Sequence, residues 1–153
     1  MDEEAYRRIY RQVNERQCLY EKAILGNHAS CGRMRKICLA EREAVHCESE
    51  AGHAACRAYL EALTRAARFA LRVPGGGGPL PHAKAVRLQV GGIQGLHLAL
   101  HPDAPLPRPV SDIHALLKRA LARWGDFDTF PWPRIVQAVA AWKGRRPRRR
   151  SGR

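Results

Sequence analysis

The sequence predicts a mainly α-helical protein: a cysteine-rich, antiparallel three-helix bundle at the N-terminus, followed by a C-terminal helical pair. Three observations lead there. Apolar residues recur at three- and four-residue steps through three segments of residues 1–73. Helix start and stop residues punctuate two further segments near the C-terminus. At 45% hydrophobic residues, the 153-residue chain can bury a core.

In the first segment, 3–25, Ile9, Val13, Arg16, Tyr20, Ala23 and Ile24 fall on helical steps, with Tyr6 and Tyr10 beside them. Gly26-Asn27 stops it, since both residues tolerate a left-handed conformation. Ser30 can cap a second helix over 32–46, with Met34, Ile37, Cys38, Glu41 and Val45 on its inner stripe. Ser49 can cap a third, 50–72, whose buried face is Ala55, Tyr59, Leu60, Leu63, Ala66, Ala67, Ala70 and Leu71. Short connections make the three antiparallel.

A Gly/Pro linker, 74–82, follows, because no regular element survives four glycines between prolines. In 83–142, Val86, Leu88 and Val90 alternate, Gly91-Gly92 intervenes, and Leu96, Leu98 and Leu100 alternate again. That pattern reads as a short β-hairpin, with a glycine-broken helix as the other reading. Ser111-Asp112 starts a helix that runs to Trp124 and stops at Gly125. Pro133 opens a last helix with Ile135, Val136, Val139 and Trp142 on its apolar face. Phe127, Phe130 and Trp132 form an aromatic cluster expected to pack onto the bundle.

The sequence carries no phosphate-binding loop, metalloprotease helix motif or nucleophile elbow, so no catalytic residue is assigned. Its seven histidines show no ligand or triad spacing. The longest uncharged stretch, 73–83, is too short to span a bilayer. Asp2, Glu3 and Glu4 open the chain where a secretion signal would be apolar, so a cytoplasmic location is expected. In a reducing compartment, clustered cysteines point to metal rather than to disulfides.

All five cysteines lie in the first 56 residues, spaced C-x12-C-x6-C-x8-C-x8-C. No C-x2-C pair is present, which disfavours a small zinc site, although His28, His46 and His53 could complete one. An iron–sulfur cluster, of the 4Fe-4S type, accepts ligands from several elements at irregular spacing. Cys18, Cys31, Cys47 and Cys56 lie in or beside turns and are the favoured metal and cofactor ligands. Cys38, on the expected core stripe, reads as a small buried hydrophobe. One objection stands: a straight helix over 32–46 holds Cys31 and Cys47 about 24 Å apart. The rival set substitutes Cys38, grouping it with Cys18 and Cys56 at similar bundle heights and Cys31 near one end.

The net charge of +13 is concentrated in the tail: residues 143–153 hold seven Lys/Arg and no acid. Arg145, Arg146, Arg148, Arg149 and Arg150 form a basic arm, expected to be disordered, suited to nucleic-acid phosphates or an acidic partner. The resulting expectation is a small cluster-binding protein in electron transfer, redox sensing or support of a redox enzyme, with a redox partner protein and no membrane. The second reading is a cysteine- or zinc-stabilised nucleic-acid-binding or regulatory protein that uses the arginine tail.

Overall fold

The computed structural model describes residues 2–72 and 79–144. Those residues form six α-helices and one two-stranded antiparallel hairpin, 60% helical overall. The mainly helical class is as the sequence predicts; the three-helix bundle is not the arrangement found.

The expected helix over 3–25 is two helices. Asp2 caps α1 (Glu3–Val13) by accepting from the Ala5 amide at 2.7 Å, and Glu3 and Glu4 suit its positive end. α1 stops at Asn14 because that side chain is buried in other bonds. Its amide donates to Val45 O at 3.0 Å and to the Tyr10 hydroxyl at 3.0 Å, and its Oδ1 meets His46 Nδ1 at 2.9 Å. The chain then runs extended beside residues 45–47: Cys18 N donates to Val45 O and Cys47 N to Arg16 O, both at 2.9 Å. Glu21, first residue of α2 (Glu21–Leu25), accepts from the Val45 amide at 2.8 Å and from the Tyr10 hydroxyl.

The expected helix over 32–46 is the hairpin. β1 (Met34–Leu39) pairs with β2 (Arg42–Cys47) from Met34↔Cys47 to Leu39↔Arg42. The two-residue turn, Ala40-Glu41, has φ of 51° and 67°. Left-handed values at both positions make the primed geometry that matches strand twist. Neither residue is the Gly, Asn or Asp usual there, so the turn carries no signal in the sequence. Ala44 and Val45 are fully buried and anchor β2.

α3 (Glu50–Leu71) is as expected: Ser49 caps it at 2.9 Å from Gly52 N, and Arg72 closes it in the left-handed conformation. Tyr59, Leu63, Ala67 and Leu71 are its buried spine. The expected hairpin over 86–100 is instead one helix, α4 (His82–Leu100). Every residue from Leu88 to Leu96 is buried, so alternation of apolar residues there marks no single face. Its glycines admit close neighbours: a Cβ on Gly91 would lie 2.6 Å from Val139 Cα, and one on Gly95 2.8 Å from Ile135 O.

α5 (Ile113–Trp124) starts at the Asp112 cap and stops at Gly125 with φ 86°. α6 (Trp132–Ala141) has Pro133 in its first turn and buries Ile135 and Val139. Tyr59 stacks at 5.7 Å on Trp132, and Phe130 at 5.6 Å. Phe127, Phe130 and Trp132 thus pack on α3, as expected. α3 meets α4, α5 and α6, so the C-terminal helices complete its core. Most of the expected linker 74–82 and of the basic tail, including its five named arginines, lies outside the described residues; His82 belongs to α4.

Candidate cysteine site

Four thiols line one pocket, and each comes from a different piece of backbone. Cys18 lies between α1 and α2, and its position is set by the 2.9 Å bond from its amide to Val45 O. Cys31 lies in the loop before β1, Cys47 ends β2, and Cys56 faces the pocket from the second turn of α3. The Cys31 loop is itself tied down. Ser30 N donates to Val110 O at 2.9 Å, Ile113 N to Ser30 O at 3.0 Å, and Gly32 N to the Asp112 carboxylate at 2.9 Å. Asp112 therefore caps α5 and holds the cysteine loop with the same oxygen.

All five cysteines are free thiols. Burial raises Cys31 above its ordinary value and pushes Cys18 and Cys56 up to about 12, with the neighbouring sulfurs adding to the effect. Backbone N–H groups act in the opposite direction. Tyr20 N–H is directed at Cys18, and the Arg33 and His114 N–H groups at Cys31, the former at 3.4 Å. The Cys47 thiol donates to Ser49 O at 3.3 Å. Thiols this protonated are poor nucleophiles at neutral pH, which argues against a metal-free thiol-exchange centre. A bound cation inverts that logic, because a coordinating thiol is deprotonated outright.

Cys38 stands apart. It is exposed on β1 opposite Glu43, one pair from the turn. It lies four residue steps from Met34, about 13 Å along the hairpin from the pocket end. The core position expected for it is corrected: residues 34–39 are a strand, and Cys38 is exposed near the turn end of it, away from the pocket that Cys18 and Cys56 line. The same change removes the objection to Cys31 and Cys47. A hairpin returns the chain to its starting point, whereas a helix would have carried it away.

The rest of the lining includes the apolar Leu19, Met34 and Ile113, the Arg33 side chain, and the imidazoles of His53 and His114. Its cavity volume is about 20 Å³, room for about one water molecule. Of the histidines weighed with the cysteines, His53 reaches the pocket, and its Nε2 meets Gln17 O at 3.0 Å. His46 is engaged by Asn14, and His28 packs edge-on against Trp142 at 5.4 Å. Sequence reasoning missed His114, Arg33 and Tyr20. The Asp112 cap is visible in the sequence, but not its docking against residues 28–32. Among the described residues, no three His, Cys, Asp or Glu side chains form a group that could hold a single metal ion. Nor, among them, is any helix long and apolar enough to cross a membrane.

Comparison with protein-family models, with curated proteins and with solved structures finds no match to this chain.

Proposed function

We propose that the protein binds a four-iron iron–sulfur cluster through Cys18, Cys31, Cys47 and Cys56. It would serve as a small electron carrier, a redox sensor or an accessory of a redox enzyme. One observation carries this reading: four thiols from four separate pieces of chain meet at one apolar pocket, while the fifth is exposed elsewhere.

A cluster and a single ion place different demands on the thiols. Tetrahedral zinc needs its sulfurs about 3.8 Å apart, given Zn–S bonds of about 2.3 Å. The described residues offer no such group. A cluster gives each thiolate its own iron at a separate corner, so the ligands stand farther apart. When bound, it supplies one-electron transfer.

The chain's own residues supply the rest. Leu19, Met34 and Ile113 limit water, and the Tyr20, Arg33 and His114 amides direct N–H groups at ligating sulfurs. Arg33 at the rim, together with the arginines 145–150 of the tail, offers positive charge to an acidic redox partner protein. The test is anaerobic purification and visible spectroscopy. A brown protein with sulfur-to-iron absorbance, bleached by air or chelator, supports the reading. A colourless, well-folded protein containing zinc supports the nucleic-acid-binding alternative.

A further inference from the structure

Tyr20 is 1% exposed and lines the cysteine pocket, yet its hydroxyl has no hydrogen-bond partner. The adjacent buried tyrosine differs: the Tyr59 hydroxyl donates to Gly92 O at 2.7 Å. Buried hydroxyls are almost always paired, because an unpaired one forfeits its bonds to water without replacement. Phenylalanine would fill the same space without that cost. Tyr20 shares the pocket lining with Cys18, Cys31, Cys47 and Cys56, and none of their sulfurs is within hydrogen-bond reach of its hydroxyl. A sulfur-bearing group held by those thiols would supply the acceptor that the hydroxyl lacks.

We propose that the Tyr20 hydroxyl donates a hydrogen bond to a sulfide of the bound cluster and so raises its reduction potential. This rests on the cluster reading. Reduction adds negative charge that spreads over the sulfurs. A fixed O–H donor stabilises the reduced form more than the oxidised one. The amide N–H groups directed at Cys18 and Cys31 act in the same sense, and Tyr20 adds a side-chain donor to them. Tyr20 is a positioning and tuning residue here, not a ligand.

The experiment is redox titration of the cluster-loaded protein as wild type, Tyr20→Phe and Tyr59→Phe. Tyr20→Phe is expected to keep full iron and sulfide and to move the midpoint potential to more negative values. Tyr59→Phe, whose hydroxyl already has a backbone acceptor, is expected to leave the potential in place. In the metal-free state, Tyr20→Phe should melt at the same temperature as wild type or higher, since it removes an orphaned hydroxyl. Should Tyr20→Phe load poorly, fluorotyrosine placed at position 20 strengthens the donor without changing the fit, and should raise the potential. An unchanged potential in loaded Tyr20→Phe, or in the fluorotyrosine protein, overturns the proposal and leaves the cluster reading standing. A wild-type protein that holds no iron overturns both.

Discussion

Met34 pairs with Cys47 across the hairpin, at the end opposite the turn. The Cys31 carbonyl accepts from the Met34 amide at 3.4 Å, so Cys31 and Cys47 meet at that same end. Extended backbone 16–18 lies against the other side of β2 and brings Cys18 to it; the Ser49 cap turns the chain into α3 and brings Cys56. The site is thus a by-product of strand pairing and one helix start.

Single substitutions should separate the five cysteines. Serine at Cys18, Cys31, Cys47 or Cys56 is expected to lose most of the iron and the visible absorbance of anaerobically purified protein. Cys38→Ala should keep both, because that thiol is exposed on the far part of β1. Iron per chain, measured for each variant, checks the assignment. Loss in Cys38→Ala with retention in Cys31→Ser and Cys47→Ser would shift the ligand set to the rival one.

The Cys18 and Cys56 thiols set an alkaline limit for the metal-free protein. Their ordinary value is 9.0, and burial pushes both up to about 12. Below pH 9.0 both are protonated in the folded and unfolded chains, and folding is unaffected. Between there and about pH 12 the unfolded chain releases protons that the folded one retains, so stability falls as pH rises. Thermal melts across that range should show the fall, and Cys56→Ala should reduce it. With a cluster bound, the thiols have already lost their protons, and the alkaline fall should be much smaller.

Asn14 is the residue that ends α1 and fastens the 14–18 segment to β2. Asn14→Ala removes its bonds to Val45, Tyr10 and His46 from a site only 4% exposed. Denaturant unfolding should show a loss of about 2 kcal/mol. The Cys18 amide should also gain hydrogen exchange, since it bonds the same Val45 carbonyl.

Gly91 and Gly95 set the spacing of α4 against α6. Gly91→Ala places a methyl 2.6 Å from the Val139 Cα, a backbone atom that can yield only if a helix shifts. Helix propensity gains about 1 kcal/mol, yet overpacking is expected to win, with a net loss of about 1–3 kcal/mol by chemical denaturation. The cysteine pocket lies elsewhere, so iron content should hold.

Metal removal should loosen the protein unevenly. Chelation is expected to raise hydrogen exchange at residues 16–18, 31–34, 45–47 and the first turns of α3, while α4 and α6 stay protected. Equal protection with and without metal would make the thiols bystanders.

Much of this fold was legible where side-chain chemistry is local. The Ser49 and Asp112 caps, the Gly125 stop and the spine of α3 were all readable as punctuation and period. The hairpin was not. Met34, Ile37, Cys38, Glu41 and Val45 also fit a helical stripe, and an Ala-Glu turn with two positive φ values has no sequence signature. Gly91 and Gly92 misled in the opposite direction, because their reason is close packing against Val139 and Leu63 rather than a turn. The four cysteines that line one pocket lie in or beside turns or near a helix start, although the helix assumed between Cys31 and Cys47 argued against their meeting. His114 and Tyr20 reach the site only through tertiary docking, which nothing local announces.

The count of iron and acid-labile sulfide per chain in anaerobically purified wild-type protein tests the four-cysteine cluster most directly. About four of each, lost together in Cys56→Ser, is the predicted result. A folded wild-type protein that carries no iron after anaerobic reconstitution with iron and sulfide would contradict it.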